Sequence, residues 1–175
     1  DDEAQKTRCI MLNANDYQSS HANVITQAQV DWLLATVSQV SAYKIIIFIH
    51  IPVNPNLTGY EGSYLDVIQK ICEAINGKTS LNYDAGGIIA SADYRSTTNE
   101  IDAVISGHSH CDESNTLNGV LSICTTCDAF YNNDGFNAKV GTTTEQAFDV
   151  FSIDYTNRTI KATRIGRGND RNWTY

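Results

Sequence analysis

No apolar run in the 175 residues approaches the ~18 consecutive positions that a membrane-spanning helix needs. The longest, Ile45 to Ile51, contains His50 and then meets Pro52, so no membrane span is expected. Basic residues are scarce. Twelve Lys and Arg stand against 20 Asp and Glu, a net charge of −8. A non-specific nucleic-acid binder draws its affinity from cationic side chains that neutralise phosphates, and this chain lacks that resource. A local phosphate site stays compatible with the acidic balance, because a bound metal reverses the field around it. The cysteines number five. An odd count at irregular spacing, in a chain of this length, does not read as a disulfide scaffold. Internal repeats, heptads and low-complexity tracts are absent. What remains is 42% apolar and 18% charged, which suffices for a packed core and fits one domain over residues 1–175.

The periodicity gives the order of elements. Arg8 to Asn13 is a short apolar run that reads as a strand. Thr26 opens a helix with Gln29 at the capping-box position, and Val30, Leu33, Leu34 and Val37 form one stripe. Tyr43 to Ile49 is a continuous β-branched run, the pattern of a strand buried on both faces. A second helix is predicted from near Ser63, with Val67, Ile68, Ile71, Cys72 and Ile75 as its stripe and Asn76-Gly77 as its end. Lys78 to Glu100 is rich in small and polar residues and reads as loop, with only Gly86 to Ala92 able to pack. Ile101 to Ser106 is another buried-type strand. Asn118-Gly119 is a turn signal before a strand that runs to Ile123. Ala147 to Ile153 and Thr159 to Ile165 alternate like a hairpin. Strands and helices in this order indicate an α/β domain with a mixed sheet.

Only four histidines occur, and three follow buried-type strands. His50 ends the run from Lys44, while His108 and His110 follow Ile101 to Ser106. Ligand sites of open α/β sheets form at strand C-termini. Imidazole is the commonest biological metal ligand, and an i, i+2 pair in an irregular loop can face two neighbouring ions. His50, His108 and His110 are therefore the candidate metal ligands. His21 lies in a polar loop and reads as solvated.

A buried strand ending in His-x-Pro, followed by a second ending in Gly-His-x-His, resembles the C-terminal half of the calcineurin-like metallophosphoesterase signature. This chain carries His50-Ile51-Pro52 and Gly107-His108-Ser109-His110 in that order. Gln29, Trp32 and Leu33 look like the family's lead-in to the first motif. Phe148 to Phe151, Arg164-Ile165-Gly166 and Asp170-Arg171 look like the tail of a bacterial branch. The resemblance implies part of a metallophosphoesterase-like β-sandwich of mixed sheets flanked by helices. It also implies a phosphoester substrate and divalent ions, dinuclear in the family, of Mn, Fe or Zn. His50 and His108 would hold one ion and His110 the other.

The family's upstream motifs, Asp-x-His, Gly-Asp and Gly-Asn-His-Asp/Glu, do not occur in this sequence. They supply the carboxylates and the bridge between the ions. The expectation is therefore the C-terminal portion of a longer phosphoesterase domain, inactive alone, which binds the missing N-terminal segment or itself. The rival is a non-catalytic remnant of the fold that serves as an interaction module. Five further readings complete the set. Cys124-Thr125-Thr126-Cys127 has CxxC spacing but no following helix, so it does not read as a redox motif. Cys9 and Cys72 read as core residues. Asp112 is placed to contact an imidazole. Asp102 starts its strand and should lie away from the histidines. Arg164, Arg167 and Arg171 read as a solvated basic tail.

Overall fold

The computed structural model describes residues 1–15, 25–60, 65–128 and 138–175. Its main sheet has five strands in the order β1-β2-β5-β7-β6. The strands β1 (Thr7–Leu12), β2 (Lys44–Ile49), β5 (Glu100–Ser106) and β7 (Val120–Cys124) run parallel, and β6 (Glu113–Leu117) is antiparallel. A three-stranded antiparallel sheet, β10-β9-β8, comprises β8 (Ala147–Asp154), β9 (Thr159–Gly166) and β10 (Arg171–Thr174). The hairpin β3 (Ser80–Ala85) and β4 (Ile88–Asp93) and the helices α1 (Gln27–Ser38) and α2 (Asp66–Asn76) complete the described elements. The protein is thus α/β with several sheets and two described helices. None of those helices is long and apolar enough to cross a membrane.

Both faces of the main sheet are covered, as the continuous β-branched strands require. On one face Ile45, Ile47, Ile101 and Val104 pack against Val30 and Leu33 of α1 and Ile68, Ile71 and Ile75 of α2. Leu81, Tyr83, Ile88 and Ala90 of the β3–β4 hairpin extend this core. On the other face Ile46, Ala103, Ile105, Leu121 and Ile123 meet Ile160, Phe151, Ile153 and Trp173 of the three-stranded sheet. Burial of each fully buried Val, Leu or Ile among them contributes about 1.5–3 kcal/mol.

Helix starts follow the predicted chemistry only in part. Thr26 accepts the amide of Gln29 at 3.4 Å, as an N-cap should. The Gln29 side chain does not reach back to Thr26. It accepts from the Asn13 amide at 2.6 Å and donates to the Asn13 carbonyl at 2.7 Å, which ties α1 to the end of β1. The expected start of α2 near Ser63 lies outside the described residues. At its other end the left-handed residue is Lys78 (φ 51°), not Gly77.

Four strands run through stretches not read as strand from the sequence. Gly86 and Gly87 both have positive φ (59° and 80°) and close a two-residue turn, so the small and polar residues from Ser80 to Asp93 form a hairpin over α2. Strand β6 precedes the Asn118-Gly119 turn, and β10 adds four residues to β9. Cys72 is buried, but Cys9 is exposed, contrary to its reading as core. It lies on β1, an edge of the sheet, beside Met11, which is 79% exposed on the same side of the strand.

Candidate functional site

The histidines sit where two neighbouring parallel strands end. His50 follows β2 and His108 lies two residues beyond β5, and the strands are hydrogen-bonded neighbours. The Gly107 amide donates to the His50 carbonyl at 3.0 Å, so strand pairing continues into the loops. The result brings His50 Nε2 within 3.3 Å of His108 Nδ1, with the rings edge to face at 78°. Burial holds the His50 imidazole below its ordinary pKa, and the neighbouring His108 and His110 add to this. A neutral ring is the form that ligates metal.

The loop after β5 is strained and tightly held. His108 and His110 both take left-handed backbone (φ 72° and 56°), a conformation uncommon outside glycine and clustered at functional sites. The Ser109 amide donates to the Gly107 carbonyl at 2.9 Å, and Cys124 Sγ donates to that same carbonyl at 2.8 Å. Thr126 Oγ1 donates to the His110 carbonyl at 3.2 Å. Ser109 is itself buried beneath the loop that follows His50. That loop carries buried Ile51, Val53, Asn54 and Leu57. A Cβ on Gly59 (φ +78°) would stand 3.1 Å from Ser109 Cβ and 3.3 Å from His108 Cδ2. Only glycine lets the chain pass so close over the histidine loop.

Two sequence expectations about charged residues fail here, for one reason. Asp112 does not turn to an imidazole: it accepts from the Thr126 amide at 2.9 Å and from Arg164 at 2.8 Å, and it also pairs with Arg171. Arg164 and Arg167 are not solvated but buried. Arg164 reaches Asp149 at 2.9 Å and the Arg167 carbonyl at 2.7 Å, while Arg171 also pairs with Asp149. Arg167 donates to the carbonyls of Glu145 and Cys127, each at 2.7 Å. Arg164 and Arg171 point inward because β9 and β10 carry them to the face that meets the main sheet, while Arg167 is held in the connection between the two strands. There the two aspartates neutralise Arg164 and Arg171 in forked, charge-assisted bonds. This cluster fastens the histidine loop to the small sheet. The alternation of β9 could have signalled it: Arg164 occupies the same inward phase as Ile160 and Ala162.

Other candidates divide as follows. Cys124 ends β7, and the stretch after Asp128, on which the reading of the CxxC segment turns, lies outside the described residues. Glu113, near the histidines in sequence, accepts from the Thr58 amide and the Cys111 thiol, both at 3.1 Å. Asp102 sits in a β-bulge near the start of β5, 1% exposed and away from the strand ends that carry the histidines. His21 lies outside the described residues.

The spacing of the His50–His108 pair can be compared with that of two ligands on one ion. Two ligand nitrogens at ~2.0–2.1 Å from one tetrahedral ion stand about 3.3–3.4 Å apart, the separation these nitrogens already show. His110 lies close enough to influence the titration of His50. Among the described residues no group of three or more His, Cys, Asp or Glu is arranged to hold an ion. The two ring nitrogens stand at hydrogen-bond distance, one donating to the other according to tautomer, and a complete ligand set is not in place among the described residues. No family model and no curated protein matches this sequence.

Proposed function

We propose that this chain carries the C-terminal part of a calcineurin-like metallophosphoesterase, which hydrolyses a phosphate mono- or diester with a metal-bound hydroxide. One observation carries the reading: His50 and His108, from the two motifs of the family's C-terminal half, place ring nitrogens 3.3 Å apart at adjacent strand ends. His50 and His108 would hold one divalent ion and His110 a second. Such ions lower the pKa of water and stabilise charge on the transferring phosphoryl group. The chain's own part is to present imidazoles at fixed spacing and to cover them with the loop through Gly59. The packing of the small sheet on the main one supports a sandwich of the family's kind. The carboxylates would come from the motifs this sequence lacks, on a segment that adds to the uncovered edge at β1, or the edge is met by a second copy.

A second reading has its own support. Asp112 and Glu113, the acids closest to the histidines in sequence, are both engaged elsewhere, which suits a remnant that binds partners without catalysis. Two assays separate them. Isothermal calorimetry with zinc should show one site that His50→Ala and His108→Ala each weaken at least tenfold. Hydrolysis of bis-p-nitrophenyl phosphate with Mn²⁺ should stay at background for these 175 residues alone. Zinc binding that ignores both substitutions would end the metallophosphoesterase reading. Robust turnover lost in His108→Ala would keep the activity and overturn the incomplete site.

A further inference from the structure

Two thiols meet at the serine between the candidate ligands. Cys124 Sγ lies 3.0 Å from Ser109 Oγ, and Cys111 Sγ donates to the same oxygen at 3.2 Å. Sharing one partner, the two sulfurs lie within about 6 Å of each other. Cys124 is buried and ends β7, while Cys111 is half-buried and precedes β6. Glu113, two residues after Cys111, is the direct cross-strand partner of Cys124, so the chain brings the two cysteines to adjoining ends of β6 and β7.

We propose that Cys111 and Cys124 form an oxidisable dithiol that a small peroxide converts to a disulfide. Cys111 is the first sulfur to react, since it alone of the two is partly open to solvent. Its sulfur attacks one peroxide oxygen: an S–O bond forms, the O–O bond breaks, and the leaving oxygen takes a proton to become water. Cys124 then attacks the sulfenic sulfur. The S–S bond forms, the S–O bond breaks, and a second water leaves. The two thiols lose two electrons and two protons, and hydrogen peroxide is reduced to two waters. Cys111 lies outside the strand ladder, next to left-handed His110, so the closing movement falls on a loop rather than on β7. The new bond passes through the space that Ser109 Oγ occupies. Ser109 is displaced, and the adjoining His108 and His110 move with it. The inference stands on the sulfur geometry and is independent of the phosphoesterase reading.

The test uses the whole reduced chain, treated with graded hydrogen peroxide, blocked with N-ethylmaleimide and digested without reductant by a protease that cuts after glutamate. Cleavage after Glu113 separates Cys111 from Cys124 and Cys127. The expected product is a linked peptide pair, with two of the five thiols lost, fragmentation placing the blocked thiol at Cys127, and reversal by dithiothreitol. Cys127→Ser should keep the link and Cys111→Ser should remove it. A bond involving Cys127, or oxidation of Cys111 to sulfinic acid with no link in the wild-type chain, overturns the proposal.

Discussion

Asp102 is buried without a hydrogen bond to either carboxyl oxygen among the described residues. It occupies the β-bulge of β5, where Ile45 pairs with Ile101 and Ile46 with Ala103, leaving Asp102 without a partner in the register. The buried Tyr175 hydroxyl faces the Asp102 carboxyl, and its pull on the carboxylate opposes part of the effect of burial. Burial, reinforced by Glu100 and opposed by Lys44 and Arg158, raises the Asp102 carboxyl to about 6. In the unfolded chain it titrates near the ordinary ~3.9. A carboxyl whose folded value is raised favours the folded state fully below about pH 4, and that contribution is lost as pH rises through about 6. Two pKa units correspond to an upper limit of about 3 kcal/mol, and screening by the exposed heads of Lys44 and Arg158 lowers it. Asp102→Asn, neutral at every pH, should therefore gain about 1–3 kcal/mol over the wild type at pH 7.5 and nothing at pH 4. Urea denaturation followed by far-ultraviolet circular dichroism, from pH 4 to 8, measures the difference between the two midpoints. A difference that stays constant across that range would refute the buried-carboxyl reasoning.

Other substitutions test the supports of the site. Arg164→Ala removes one of the two guanidinium groups that neutralise Asp112 and Asp149, leaving Arg171 alone between them, and should cost about 3 kcal/mol in urea denaturation; a loss below about 1 kcal/mol would mean the cluster is solvated after all. Gly59→Ala forces a left-handed alanine against Ser109 and should cost about 1–2 kcal/mol, with the His108 ring signals shifted in NMR spectra. Unchanged His108 signals would show that the loop does not rest on it. The edge at β1, with Met11 79% exposed, should drive self-association that sedimentation velocity detects. A monomer at high concentration contradicts an uncovered edge.

The buried frame was legible in the sequence because continuous β-branched runs have one outcome. Lys44–Ile49 and Glu100–Ser106 are both central strands, and both deliver a histidine at the C-terminal end. The pairing of His50 with His108 follows from that adjacency. The β3–β4 hairpin was hidden by its polar outer face, although Gly86-Gly87 is a turn signal. The arginine cluster was hidden by composition: three arginines near a terminus look solvated until the alternation of β9 is extended through Arg164. The engagement of Asp112 was not legible at all, since its partners lie 52 and 59 residues away. Sequence proximity to His110 pointed to an imidazole, but the buried guanidinium groups demanded the carboxylate instead.

His50 and His108 are proposed to share one ion. X-ray absorption at the zinc edge of the zinc-loaded chain measures this directly. At least two imidazole nitrogens are expected at ~2.0–2.1 Å from zinc, reduced by one in His50→Ala and again by one in His108→Ala. Zinc bound through sulfur or oxygen alone, with a spectrum that neither substitution changes, would contradict the shared ion.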